Sequence, residues 1–388
     1  MISNKKNVFL FKSFYFFYAA FLFLLPVIGG LGKVNNLFHI ALMLCLIIIL
    51  FNEEIRGKVF NNRDFNTGLF VLAIFLSYFS LSTLWGAEER GISSELTHSF
   101  YLIMFVIFFN LVAMQGKKNT MLAMFFSGAL VLLLLTLYYV DKHILFENRL
   151  GSGFSLAPEN VIDMGGYYGI GIFCGLILIR ETGHKWLYLP VAFLLVGLLL
   201  TQSRGPLLAL VIACVPLLLF KRIHLSHLLI IGLIIAVIVS VIVFANANEL
   251  LVRIERSYSQ SFTRFGIWEN ALHYVQQKPW FGWGFDKQLD FVNVVGQRVH
   301  TTHSLYFATL LKGGIIGGVL LLSVITYGLY MGWQQIKAGH ALETSMFLFS
   351  LIFYSTQGMF IISNPSVSWV IFWLPLAVVM ALPKRQEK

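Results

Sequence analysis

Leu198-Leu199-Leu200-Thr201-Gln202-Ser203-Arg204-Gly205-Pro206-Leu207-Leu208 brings two apolar runs together with almost no loop between them. The runs cover about 186–202 and 206–220, each close to the roughly 17 to 25 residues that a helix needs to cross a bilayer. A Gly-Pro pair closes one helix and opens the next, because proline is comfortable at the first helical position. The stretch therefore reads as a tight hairpin between spanning helices, with Arg204 pinned at or just below the membrane boundary. A cation costs about 2.5 to 3.5 kcal/mol at a helix centre and less near the ends, so an arginine held there is a functional candidate by default. The alternative is a guanidinium snorkelling to the headgroups.

Ten further apolar runs flank this pair, at about 13–31, 34–51, 67–86, 97–115, 120–140, 161–179, 228–245, 306–331, 344–363 and 366–382. The 388 residues are 58% hydrophobic and only 12% charged, with a mean hydropathy of +0.78, whereas about a quarter of a soluble domain is charged. The runs are far longer than the roughly 9 to 11 residues of a barrel strand, so the fold class expected is all-α, a polytopic membrane protein of about 12 transmembrane helices. Residues 1–388 form a single integral membrane domain on this reading, with no internal repeat, low-complexity tract or linker. Lys5, Lys6 and Lys12 before the first run look like the start of a signal peptide, but eleven more runs follow, and the segment reads as a first spanning helix. Cys45, Cys174 and Cys214 all lie inside apolar runs and suggest neither a disulfide framework nor a zinc site.

The net charge of +10 would point to nucleic acid in a soluble protein; here most of it follows topology. With both termini cytoplasmic, sixteen Lys and Arg residues fall on cytoplasmic segments and five on the short outer connections: Lys33, Arg90, Lys142, Arg149 and Arg204. That bias is the positive-inside rule, from which long loops are largely exempt. One long loop, 246–305, lies outside and carries Arg253, Arg256, Arg264, Lys278, Lys287 and Arg298 against the trend.

That loop holds most of the candidate chemistry. Residues 261–277 read as a helix ended by Pro279, with Arg264, Trp268, Leu272 and Val275 spaced to share one face. An arginine in a first helical turn opposes the helix dipole, and a bound anion would resolve the conflict, the alternative being a solvated charge. An aromatic knot follows at Pro279-Trp280-Phe281-Gly282-Trp283-Gly284-Phe285, then His300-Thr301-Thr302-His303 at the edge of the next run. Two histidines three apart lack a third ligand at a recognised spacing, so no metal is expected. An imidazole near neutrality is a natural general base for a hydroxyl. Lys312, about 14 Å deeper than His303 if the helix is continuous, either snorkels outward or meets a phosphate. Arg149, beside the turn Gly151-Ser152-Gly153, and His300 are weaker candidates.

The order of these features resembles the O-antigen ligase family: Thr201-Gln202-Ser203-Arg204-Gly205, the loop with Arg264 and Trp268, Lys278-Pro279-Trp280-Phe281-Gly282-Trp283-Gly284, then His303-Ser304-Leu305 and Lys312-Gly313-Gly314. The family usually has His-Asn where this chain has His303-Ser304. The resemblance implies a GT-C-like fold and a metal-independent, inverting glycosyltransferase without cofactor, in the bacterial inner membrane with a periplasmic active site. It implies a glycan donor on undecaprenyl diphosphate, lipid A-core as acceptor, membrane lipid around both, and no nucleic acid. Arg204 and Arg264 match the family's arginines and would bind the diphosphate; His303 matches its histidine and would be the catalytic base. Trp268, Trp280 and Trp283 are candidates for sugar or lipid contact, though aromatic residues also gather at any membrane interface. An O-antigen polymerase with a second lipid-linked glycan as acceptor is the nearest alternative, a protein O-glycosyltransferase is another relative, and a twelve-helix secondary transporter is the alternative from a different class.

Overall fold

The computed structural model describes residues 5–29, 32–86, 91–141, 149–151, 153–154, 156, 158, 160–219, 264–293, 296, 298–358 and 360–381. The chain runs through α1 (Lys5–Ile28), α2 (Val34–Phe51), α3 (Glu53–Phe60), α4 (Arg63–Leu81), α5 (Ile92–Met114), α6 (Lys118–Tyr139), α7 (Val161–Thr182), α8 (Tyr188–Leu200) and α9 (Arg204–Leu219). A helix described over 264–277 is α10. It is followed by a two-stranded ribbon, β1 (Phe291–Val292) and β2 (Arg298–Val299), then α11 (Leu305–Lys337) and α12 (Ala341–Phe353). The last element, α13, is a π-turn at Trp369–Trp373 continued by α-helix to Met380.

Among the described residues, seven helices are long and apolar enough to cross a membrane, and four shorter apolar helices accompany them. These eleven correspond to eleven of the twelve expected runs; the run at 228–245 lies outside the described residues, as does all of 246–263 with Arg253 and Arg256. Large apolar side chains such as Phe16, Phe70, Val211 and Leu322 stand well exposed on the outside of the bundle, the arrangement a lipid solvent favours and water does not. Short polar connections carry the helix stops. Asn52, Asn62 and Asn160 each accept a hydrogen bond from a backbone amide of the first turn that follows, satisfying donors left over at a helix start. Gly183, at φ 71°, closes α7 in the left-handed conformation.

Helix α7 is the axis of the bundle, packing against α6, α8, α9 and α12 with nearly all of its surface buried. Its glycines make that approach possible, as small residues do between membrane helices. A Cβ at Gly169 would sit 2.2 Å from the Phe349 ring, and one at Gly175 would sit 2.4 Å from Val191. Cys45 and Cys174 are buried and Cys214 partly so, all three free thiols.

Two expected helices are interrupted, and both interruptions shape one end of the bundle. The run 344–363 is helical only to Phe353; the described residues of 354–366 are turns and bends. Met359-Phe360-Ile361-Ile362 keep this stretch apolar enough to look like a span, but Gly358 and Asn364-Pro365 do not continue a helix. Trp369 and Trp373 hold it from within by donating to the carbonyls of Ser363 and Ile361 at 3.0 and 2.7 Å. Helix α11 breaks at Gly314, where φ is 60° and ψ −160°, a region essentially restricted to glycine. The break lies two residues beyond Lys312, so the stretch from Leu305 to Lys312, on which the depth of Lys312 was reckoned, is helical, and the interruption falls just after it.

The aromatic knot fills that break. Trp283 and Gly284 donate to the carbonyls of Leu311 and Lys312, at 3.0 and 2.9 Å, while Ile315 and Ile316 donate to Pro279 and Trp280, at 2.7 and 3.2 Å. Carbonyls and amides that a helix break would leave unsatisfied are thus paired by the loop. The two backbones touch through glycine: a Cβ on Gly314 would lie 2.4 Å from the Trp280 carbonyl oxygen, and one on Gly282 2.5 Å from Gly314 N. Tyr78 donates to the Gly313 carbonyl at 2.6 Å, and Trp85 to that of Phe281 at 3.1 Å, tying α4 to the same junction.

Candidate active site

The hairpin between α8 and α9 turns within three residues. Gln202 adopts a positive φ of 50°, a conformation uncommon outside glycine. Thr201 and Ser203 are buried while Arg204, first residue of α9, is exposed. Arg149 crosses onto this turn from the preceding connection: its Nε donates to the Thr201 carbonyl at 3.2 Å and its Nη2 to Ser203 Oγ at 2.7 Å. The backbone follows, with Leu150 N donating to the Leu200 carbonyl at 3.0 Å.

Arg264 approaches from α10. The buried side of that helix carries Ile267 and Ala271, which join Leu289, Val299 and Leu311 in a small core under the loop. Arg264, Trp268, Tyr274 and Val275 flank this line half-buried, a helical stripe of three- and four-residue spacings. Leu272, expected on the same face as Arg264, is 42% exposed; the apolar stripe is rotated by one position from that reading. Trp268 stacks on Phe307 with ring centroids 5.3 Å apart and donates to the Thr302 carbonyl at 3.1 Å. One indole thus ties the arginine helix to the turn before α11.

His303 sits in that turn, at a φ of 47°. The left-handed backbone places its half-buried ring just ahead of the amino end of α11. Thr302 Oγ1 donates to the Ser304 carbonyl at 2.7 Å, and Ser304 occupies the N-cap position without a side-chain cap bond. Gln202 and His303 are the two non-glycine residues with positive φ among the described residues. Strain of this kind costs about 1 to 3 kcal/mol each and gathers where a site demands it.

The charges of these groups act on one another. Burial, then the charges of Arg204 and Arg264, hold the Arg149 guanidinium below its ordinary range. Burial, then Arg204, does the same to Arg264, and burial, then Arg264, lowers His303. Three arginines and a histidine that favours its neutral form therefore share one end of the bundle. The arrangement can hold an anion through charge-assisted, bidentate hydrogen bonds with a proton acceptor beside it.

The sequence profile of the O-Antigen ligase family matches residues 189–322, a span containing Arg204, Arg264, His303 and the Lys312-Gly313-Gly314 break. A curated O-antigen ligase of Pseudomonas aeruginosa (strain PAO1) is 28% identical over 320 residues, covering 79% of this chain and 76% of the relative. The resemblance to the O-antigen ligase family holds. The match to the O-antigen ligase profile begins after Arg149, which joins the cluster through its bonds to the hairpin.

The other candidate residues have partners of their own. His300 is exposed beside the ribbon, and its carbonyl accepts from Leu289 at 3.2 Å. Lys312 donates to the Phe285 carbonyl and lies 5.3 and 5.4 Å from the Phe285 and Phe360 ring centroids. Trp283 is enclosed: Lys278 lies 4.3 Å and Lys287 5.0 Å from its ring centroid, and its indole donates to the Tyr274 carbonyl at 2.8 Å. Trp280 is 62% exposed and lines an open cavity of about 510 Å³ with Trp85, Lys278, Pro279, Phe281 and Gly282. Sequence reading missed the loop 354–358, which touches both the hairpin and His303. Its only signal was the polar cluster Ser355-Thr356-Gln357-Gly358 inside an apolar run.

Proposed function

We propose that the protein is an O-antigen ligase, moving a glycan from undecaprenyl diphosphate to lipid A-core on the periplasmic side of the inner membrane. The observation that carries this reading is the convergence of Arg149, Arg204, Arg264 and His303 at one end of an apolar bundle. In the reaction the acceptor hydroxyl attacks the anomeric carbon from the face opposite the diphosphate. The bond from that carbon to the phosphate oxygen breaks, its electron pair leaves with the diphosphate, and the configuration inverts. Arg204 and Arg264 clamp the departing diphosphate, whose charge grows along the reaction path. Their guanidinium forks supply the charge neutralisation that a divalent cation provides in many soluble transferases.

His303 takes the hydroxyl proton. A lowered pKa keeps the imidazole neutral, the form a general base requires. Trp280, exposed at the cavity mouth, is the aromatic residue best placed to meet a sugar or lipid, whereas Trp268 and Trp283 brace the loop. The reading is tested by incubating purified protein with undecaprenyl-diphosphate-linked glycan and either lipid A-core or a second lipid-linked glycan. Glycosylated lipid A-core is the expected product. Elongated lipid-linked glycan alone would instead mark a polymerase, and activity that vanishes with a chelator and returns with one divalent ion would overturn the arginine clamp.

A further inference from the structure

Asp163 is a carboxylate the reaction above does not use. It lies in the first turn of α7, 4% exposed, and accepts a hydrogen bond from the side-chain amide of Gln357, also 4% exposed. The partners are 194 residues apart in sequence, so the bond exists only in the assembled bundle. Gln357 belongs to the segment 354–358, where the expected helix has given way to turns. That segment meets both halves of the site. Tyr354 O accepts from Leu305 N at 3.0 Å at the start of α11. Gly358 lies against His303 so closely that a Cβ on it would be 2.5 Å from His303 N and 2.8 Å from its Cα. On the other side, a Cβ at Gly205, beside Arg204, would be 2.6 Å from Thr356 Oγ1. Helix α7 also touches the hairpin directly, since a Cβ on Gly165 would lie 2.9 Å from Pro206 and 3.4 Å from Thr201 Oγ1.

We infer that Asp163 is a positioning residue which, through Gln357, fixes the segment 354–358 between the Arg204 hairpin and His303 and so sets the spacing of the two. Segment 354–358 has no regular secondary structure to hold it, and a buried, charge-assisted bond to the deeply enclosed helix α7 supplies a fixed point. The left-handed backbone of His303 needs such a neighbour, because a strained conformation persists only where its surroundings over-determine it. Asp163 acts through backbone placement and does not touch substrate.

The inference rests on His303 and Arg204 being the working residues, so its test includes a readout that needs no glycan transfer. The full-length protein is treated with diethyl pyrocarbonate and the carbethoxylation rates of His303 and of His300, exposed and outside the cluster, are followed by mass spectrometry. Asp163→Ala and Gln357→Ala should each speed modification of His303 about tenfold, as local opening permits once a charge-assisted bond is lost, with His300 unchanged. Asp163→Asn keeps the acceptor oxygen without the charge, so the His303 rate should stay within about twofold of wild type, well short of the alanine change, with His300 unchanged. Combining the two alanine changes should add nothing to either alone, since both remove one bond. Where the wild-type protein transfers glycan, turnover of the alanine variants should fall about a hundredfold, the cost of a small misplacement of reacting groups, with donor affinity kept within about twofold on the same basis.

An unchanged His303 rate in both alanine variants would overturn the inference, as would Asp163→Asn behaving like Asp163→Ala. If Asp163→Ala does not fold, Gln357→Ala and Gln357→Met read the same bond from its other side. A wild-type protein that transfers nothing to any acceptor would refute the proposed function while the modification rates still decide the positioning role.

Discussion

His303 combines a strained backbone, partial burial and a neighbouring cation, and each has a consequence at the bench. Burial and the Arg264 charge both disfavour the imidazolium, so the folded pKa lies below the ordinary 6.5. The rising limb of kcat/KM with pH should therefore have its midpoint below that value, because the base is active once its proton has left. Replacing Arg264 by Gln removes a repulsive charge and should move the His303 titration upward, which side-chain ¹⁵N NMR of the imidazole would follow directly. Arg264→Lys keeps the charge and loses the fork; turnover should fall about a hundredfold, as when one preorganised donor to a developing anion is removed. Arg204, Arg264 and His303 stood out in the sequence as candidates, as a cation inside a tight apolar hairpin, a cation at a helix start and a histidine at a span's edge, and the family resemblance joined them into one proposed site. The role of Arg149 as a strut to Thr201 and Ser203 was not legible, since a hydrogen bond across 54 positions leaves no local pattern.

At the level of elements, periodicity revealed the spans but not their interruptions. Hydropathy counts side chains, and a break filled by another backbone costs no apolar residue. Gly282, Gly284, Gly313 and Gly314 were visible as glycines, yet only their mutual fit explains them: each vacant Cβ position is taken by a neighbouring chain or ring. Gly314→Ala places a side chain in a backbone region worth about 1 to 3 kcal/mol of strain, and in addition 2.4 Å from the Trp280 carbonyl oxygen. It should lower the unfolding midpoint more than Gly318→Ala, whose nearest obstacle is the far end of the Leu310 side chain, and it should expose the 278–284 loop to limited proteolysis. Proteolysis equal to wild type would show that the knot does not depend on the break. Segment 354–358 was hidden for the same reason, because the bulk of Met359 to Ile362 masks a turn that packing against His303 requires.

Across the whole molecule, cations are handled in opposite ways at the two ends. Where α6 begins, α7 ends and α12 begins, Glu343 is buried and its carboxylate accepts from Arg180 Nη1 and Nη2 at 2.8 and 2.6 Å and from Lys118 at 3.0 Å. Glu181 and His340 also converge there, but the oxygens they would share with a metal already serve Arg180 and Lys118. Glu343→Ala removes the carboxylate shared by Lys118 and Arg180, leaving Arg180 with Glu181, and should cost about 1 to 3 kcal/mol in unfolding free energy, measurable as loss of thermal stability with the site residues untouched. At the other end like charges gather: besides burial, Arg204 and Arg264 lower the proton affinity of Arg149, and Arg204 that of Arg264. Repulsion held in a folded protein is released by a bound anion, and binding to the folded state alone stabilises it, by about 2.7 kcal/mol at a hundred times the dissociation constant. Inorganic pyrophosphate, the leaving group without its lipid, should therefore raise the unfolding temperature of the wild-type protein. The gain should shrink with added sodium chloride, since exposed charges are screened, and should be lost in Arg204→Ala. A rise that survives Arg204→Ala would place the anion elsewhere and separate the cationic cluster from the diphosphate it is proposed to hold.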